Sequence, residues 1–151
     1  MKPSNITFTL VECDVDTLAC FDLLRVLRPH LTDTKKVTAQ IARQRVQGYR
    51  LLAARVARDI LGLVGYRYQE NLIHGRFVYV DDLIVESAKR KAGVGALLLE
   101  AVTREAEAEC CARVVLDTAL TNTCAQRFYF EAGLAPIAFN FARVLINGKN
   151  K

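Results

Sequence analysis

The sequence predicts a mixed α/β fold, a central mixed β-sheet flanked by helices. Three observations carry this. Strand-like runs at residues 49–58, 60–70 and 76–86 follow one another across short turns, the pattern of antiparallel strands. A helical apolar stripe over 93–110 then leads to a short apolar run at 113–117, as expected of a crossover helix feeding a parallel strand. Between the third strand and that helix lies a polar turn containing Gly93 and Gly95.

Taken in order, residues 5–12 alternate Ile6, Phe8 and Leu10 with threonines and read as a first strand. Asp14 is placed to cap a helix whose apolar face is Val15, Leu18, Ala19, Leu23 and Val26, stopped by Pro29. Thr32 or Asp33 caps a second helix over 34–47, with a thin stripe of Val37 and Ile41. Gly62 and Gly65 interrupt the strand at 60–70, which implies a bulge or a close backbone approach. The helix from Gly93 buries Val94, Leu98, Ala101, Val102 and Ala106, and Glu105 falls awkwardly near the edge of that stripe. Thr121 or Asn122 caps a further helix that runs through Phe128 and Tyr129 to Gly133. Leu134 to Ile146 reads as a last strand, and residues 147–151 as a polar tail. There are no repeats, linkers or low-complexity blocks, so residues 1–151 are expected to form a single domain.

Composition narrows the classes of function. At 151 residues, 52% apolar and 25% charged, the chain can bury a core and is not a disordered tract. No apolar run approaches the roughly 18 residues of a membrane helix. The first residues lack an apolar signal region, so a cytoplasmic protein is expected. Five cysteines, an odd number without a Cys-x-x-Cys pair, and only two histidines argue for reduced thiols and against a metal site. Cys124 reads as a small helix residue rather than a nucleophile, and His74 as a solvated turn residue. The net charge of +5 invites nucleic acid, but the arginines at 43, 45, 50, 55 and 58 lack an interleaved aromatic platform or a groove-reading motif. Such basicity equally suits a ligand carrying several phosphates.

The stretch from Asp82 to Glu100 is where such a ligand would sit. The apolar run Leu83, Ile84, Val85 ends a strand; Lys89, Arg90 and Lys91 follow; Gly93 and Gly95 open a helix. The first amides of a helix lack intrahelical partners, and the dipole places about half a positive charge there. Glycine lets a ligand approach the backbone closely. A P-loop does not fit, because no Gly-x-x-x-x-Gly-Lys-Ser/Thr run exists, and a dinucleotide fingerprint lacks its third glycine.

The spacing Arg90-x-x-Gly93-x-Gly95, five residues after Val85, resembles the acyl-CoA signature of the GNAT acetyltransferase superfamily. A second stretch, Asn122-Thr-Cys-Ala125-Gln-Arg-Phe128-Tyr129 through Gly133-Leu134, is similar to that family's Asn-x-x-Ala-x-x-Phe-Tyr-x-x-x-Gly-Phe helix. The element order agrees over nearly the whole chain. The resemblance implies a GNAT-like acyl-CoA N-acyltransferase fold and acetyl-CoA as cosubstrate. Its pantetheine would pair with the backbone of Leu83, Ile84 and Val85. Its pyrophosphate would meet the amides of Lys91, Ala92, Gly93, Val94, Gly95 and Ala96 and the Arg90 side chain. The family usually has glycine where Lys91 stands, so this lysine either adds charge to the site or points to water.

The implied reaction is attack of an amine on the thioester carbonyl. The resemblance puts an acid at Asp82, as base or amine anchor, against the alternative of an acid paired with an arginine. Asp81, Glu70 and Asp117 are reserves, and a bulge would swap Asp81 and Asp82. Tyr129 matches the tyrosine that faces the CoA sulfur, and Asn122 either touches pantetheine or caps its helix. Tyr66, Tyr68 and Tyr79 are read as fillers of the sheet faces. An acyl-CoA-binding sensor or regulatory module without turnover is the alternative function. The acceptor is unidentified beyond an amine, and exposed apolar strands at the C-terminal end point to a homodimer.

Overall fold

The structure, a computed structural model, describes residues 5–146; the expected polar tail at 147–151 lies outside them. The chain divides into two compact units, one ending at Leu116 and one beginning at Asp117.

The first unit holds a five-stranded sheet in the order β1 (Thr7–Leu10), β2 (Arg50–Val56), β3 (Asp59–Asn71), β4 (Gly75–Val85), β5 (Arg113–Leu116). The first four strands are antiparallel and β5 is parallel to β4, as the crossover reading requires. Successive residues of a strand face opposite ways. Leu51, Ala53, Leu63 and Ile84 therefore join one core with Cys20, at the junction of α1 (Asp14–Ala19) and α2 (Phe21–Leu27), and with residues of α2 and α3 (Thr34–Val46). On the opposite face α4 (Val94–Ala108) packs on β3 and β4 through Val94, Leu98, Leu99, Val102 and Ala106. Glu105 finds its reason there: its carboxylate accepts from the hydroxyls of Tyr66 and Tyr68. Asp33 caps α3, accepting from the amides of Lys35 and Lys36 at 2.9 and 3.2 Å.

Three expectations are corrected. The first helix is two helices, broken at Cys20, and the expected apolar face is not the buried one. Val15, Leu18 and Val26 are 76%, 50% and 58% exposed, while Thr17, Cys20, Phe21 and Leu24 are buried. The polar Thr17 tolerates burial because its hydroxyl donates to the Cys13 carbonyl at 2.9 Å and accepts from Arg45. Ala19, Leu23 and Val26 instead wall an open cleft of about 380 Å³ beside the β2–β3 turn and Glu86–Ser87. His74, expected in solvent, is half-buried with its ring 5.0 Å from that of Phe77.

The second unit contains α5 (Thr123–Glu131), but residues 134–146 form no strand. Ile137, Phe139, Phe141, Val144, Leu145 and Ile146 are all exposed. Alternation gives a segment the pattern of a strand, yet a strand also needs a hydrogen-bonding neighbour, and this one has none among the described residues.

Two irregularities position the site. Gly65 lies opposite Asp82 and Tyr66 opposite Val80, so Asp81 is an extra residue bulging from β4. Across from it, a Cβ built on Gly65 would stand 2.0 Å from the Tyr49 hydroxyl oxygen. The glycine is the notch in which that hydroxyl rests.

Unfolding measurements check the reassigned helix face. Leu24→Ala is expected to destabilise by about 2–5 kcal/mol, and Val15→Ala to stay within about 0.5 kcal/mol. The reverse order would restore the face read from periodicity.

Candidate active site

β4 loses one neighbour partway along. Its rungs with β5 are Phe77–Arg113, Val78–Val114, Tyr79–Val115 and Val80–Leu116, and none follows. Its rungs with β3 continue to Val85, opposite Gly62. Leu83, Ile84 and Val85 thus offer one backbone edge that no strand among the described residues takes up. Leu83 and Val85 are half-buried and Ile84 is buried, so this edge rests on the core rather than on a flexible loop.

The edge runs directly into the polar turn. Ser87–Lys89 makes a single 3-10 turn, and Ala92 N donates to the Lys89 carbonyl at 3.2 Å. Gly93 is the N-cap of α4 at φ 83°, a left-handed conformation, and a Cβ placed there would meet nothing within 4 Å. The mouth is therefore open. No side chain among the described residues caps α4, and its first ladder bond is Leu97 N to Gly93 O at 3.1 Å. The amides of Val94, Gly95 and Ala96 precede that ladder and are the orphan donors of a helix start. Arg90 is exposed, with Nε 3.5 Å from the Val85 carbonyl. Neither it nor Lys89 or Lys91 is in an ion pair with another described residue. Lys91 is exposed at φ 70°, so the position where the resembling family carries glycine has the backbone that glycine favours.

Asp82 sits at the start of the unpaired edge with both oxygens engaged. Oδ2 accepts from the Tyr49 hydroxyl at 2.9 Å. Oδ1 accepts from Arg28 Nε at 3.2 Å and Nη2 at 3.0 Å. The sequence alternative of an arginine-paired acid is thus realised. Asp81 pairs with Arg67, Oδ2 to Nε at 2.9 Å, and the Arg67 guanidinium stands 5.4 Å from the centre of the Tyr49 ring. Burial raises the Asp81 carboxyl above its ordinary value, against the lowering by Arg67. Burial foremost, then the charge and hydrogen bond of Asp82, hold the Tyr49 phenol well above its usual value, so it stays a donor.

Of the expected site residues, Asp82 through Ala96 form one continuous feature of the first unit. The other two share α5 in the second. Asn122 caps that helix, its Oδ1 accepting from Ala125 N at 3.1 Å. Tyr129 is half-buried with its ring 5.3 Å from that of Phe128, and burial pushes its phenol up. Arg28 and Tyr49 escaped the sequence reading; the glycine at 65, where a strand would prefer a side chain, was the only trace of the second.

A sheet whose parallel strand pair, β4 and β5, parts beside an uncapped, glycine-headed helix defines a class of acyl-CoA-binding folds. The acetyltransferase (GNAT) family profile matches residues 17–134, and the chain belongs to that family. No curated protein matches the sequence. Among solved structures, an integron cassette protein from the mobile metagenome of V. cholerae superposes with a TM-score of 0.80 at 20% identity, covering 97% of this chain and 96% of that one. The aminoglycoside N-acetyltransferase AAC(6')-Iy in complex with CoA gives 0.80 at 18%, covering 94% and 96%. The ribosomal-protein-alanine N-acetyltransferase of Brucella melitensis biovar Abortus 2308 gives 0.77 at 18%, covering 93% and 99%. At these identities the likeness is one of fold.

Two substitutions isolate the backbone of the mouth. Gly93→Ala, which meets no neighbour but must hold a positive φ, is expected to destabilise by about 1 kcal/mol. Lys91→Gly relieves strain and is expected to stabilise by about 0.5–1 kcal/mol. Thermal unfolding of both variants reads the pair, and a stabilised Gly93→Ala would contradict the left-handed cap.

Proposed function

We propose that the protein is an acetyl-CoA-dependent N-acetyltransferase acting on a primary amine of a small molecule or protein, by direct attack in a ternary complex. The observation that carries this is the unpaired β4 edge running straight into the uncapped mouth of α4. An extended ligand with its own amides can complete the edge, as an added strand would, and a diphosphate can take the orphan donors. The residues present fit acetyl-CoA. Leu83, Ile84 and Val85 receive the pantetheine, and the amides from Lys91 to Ala96 with the Arg90 guanidinium receive the pyrophosphate.

In the reaction the acceptor nitrogen forms a bond to the thioester carbonyl carbon, the carbon–sulfur bond breaks, and the nitrogen gives up a proton. An alkylamine has a pKa near 10.4 on the lysine scale, so its proton must be taken before attack at neutral pH. Asp82, with both oxygens already accepting, suits an anchor for the amine better than a free base. Asp81, raised by burial, or a water relays the proton. Tyr129, neutral in this pH range, donates a hydrogen bond to the departing sulfur. The family match runs across the boundary between the two units, which supports reading residues 1–151 as one acetyltransferase domain. Two similar structures are an aminoglycoside N-acetyltransferase and a ribosomal-protein-alanine N-acetyltransferase, which supports an acceptor of either class, small molecule or protein.

A cytoplasmic location belongs to the same proposal; the five cysteines are unpaired, and no helix among the described residues is long and apolar enough to cross a membrane. So does a homodimer, supported by the exposed apolar run from Ile137 to Ile146. The Arg28–Asp82 pair favours a second reading, an acyl-CoA sensor without turnover. Thioester consumption at background across an amine panel, with acetyl-CoA bound, would select it.

Calorimetry with acetyl-CoA is the primary test, and absence of binding at millimolar ligand would sink the proposal. Arg90→Ala is expected to weaken acetyl-CoA about tenfold, the worth of a charge-assisted hydrogen bond. Once an acceptor is found, Tyr129→Phe is expected to lower kcat about tenfold with little change in the KM for acetyl-CoA. A loss of a thousandfold or more would instead make Tyr129 an obligatory proton donor.

A further inference from the structure

The carboxylate of Asp82 is held unequally on its two sides. Its inner oxygen accepts from Tyr49, a residue only 4% exposed and part of the first core. Its outer oxygen, Oδ1, is covered by Arg28, whose side chain is 46% exposed against 19% for that of Asp82. Arg28 is the C-cap of α2 at φ −126° and ψ 79°, ahead of Pro29; its N–H still donates to the Leu24 carbonyl at 2.8 Å, so only the side chain need move. The same Nη2 that reaches Oδ1 also donates to the Asp81 carbonyl at 3.0 Å. As the bulged residue, Asp81 has no rung on either neighbouring strand.

We propose that Arg28 occupies, in the free protein, the subsite for the acceptor's ammonium group, and that a primary alkylammonium displaces it onto solvent. One carboxylate oxygen and one backbone carbonyl within reach of a single nitrogen are acceptors that the three N–H donors of an ammonium satisfy. Charge points the same way. Asp81 and Asp82 are balanced by Arg67 and Arg28. With Arg28 swung away, two carboxylates face one guanidinium, and a single positive charge restores neutrality. An ion pair with one partner half in water contributes little, so its exchange for an incoming cation is readily reversible. The Tyr49 contact is buried and stays. The chain thus carries in Arg28 its own stand-in for the substrate's charged end.

The inference rests on the acetyltransferase reading for its purpose, not for its measurement. The full chain, 15N-labelled and without acetyl-CoA, is titrated with n-propylammonium chloride against sodium chloride at equal ionic strength. Displacement is expected to move the Arg28 Nε resonance to the position of a free guanidinium, with the same midpoint as the Asp81 and Asp82 amides. Arg28→Met keeps the aliphatic stem, removes the competitor, and is expected to tighten propylammonium about threefold to tenfold. Asp82→Asn is expected to abolish binding in either background. Saturable binding that leaves the Arg28 signal unmoved would overturn the proposal. So would unchanged affinity in Arg28→Met, survival of binding in Asp82→Asn, or no saturable binding in any of them. Should Arg28→Met melt at the working temperature, the Nε readout of the unaltered chain decides. Calorimetry with acetyl-CoA separates the two readings. Acetyl-CoA binding without amine exchange removes only this inference, and amine exchange without acetyl-CoA binding removes only the acetyltransferase.

Discussion

Every backbone amide and carbonyl taken out of water needs a partner, and β4 is where this chain leaves that requirement open. From Phe77 to Val80 the strand has neighbours on both sides; Asp81 bulges from the ladder, and from Asp82 to Val85 only β3 is paired. The strand then turns into a helix whose first amides are equally unclaimed. Main-chain valences left over by a sheet and by a helix follow one another along the chain, so the local geometry is already that of a slot for a long, polar, partly anionic ligand. The supporting packing is ordinary by comparison, one helical layer on each face.

The bulge at Asp81 sets the surroundings of the two acids at the head of this edge. In a regular strand Asp81 and Asp82 would point to opposite faces and share no surroundings. The extra residue lets Asp82 meet α2 and the core tyrosine while Asp81 meets Arg67. Two carboxylates in sequence thereby stand near each other with different partners, one half-buried and raised, the other held between a phenol and a guanidinium. The notch at Gly65 makes room for the phenol.

Much of this was legible in the residues. The stripe of α4, the caps narrowed to Thr32 or Asp33 and to Thr121 or Asn122, the parallel placement of β5 and the open turn at Gly93 each follow from local pattern, because each is decided within one element or between it and the next. The failures were of two kinds. In α1 and α2, a break at Cys20 makes a single helical wheel meaningless, and burial of Thr17 depends on Arg45, which hydropathy cannot anticipate. At 134–146, alternation marked a strand but could not supply its neighbour. The Arg28 and Tyr49 contacts of Asp82 span 54 and 33 residues of sequence, and no spacing rule reaches that far.

The two walls of the opening differ in a way that bears on how it works. β4 on its β3 side is braced by ten rungs, whereas β5 is joined to the sheet by four and borders no other strand of the first unit. Local opening free energies follow such differences in bonding and burial. Amide exchange should therefore be slow along β4 and fast along β5, giving a rigid jaw and a yielding one. A ligand seated in the opening would take its alignment from the stiff side, while the soft side adjusts to it.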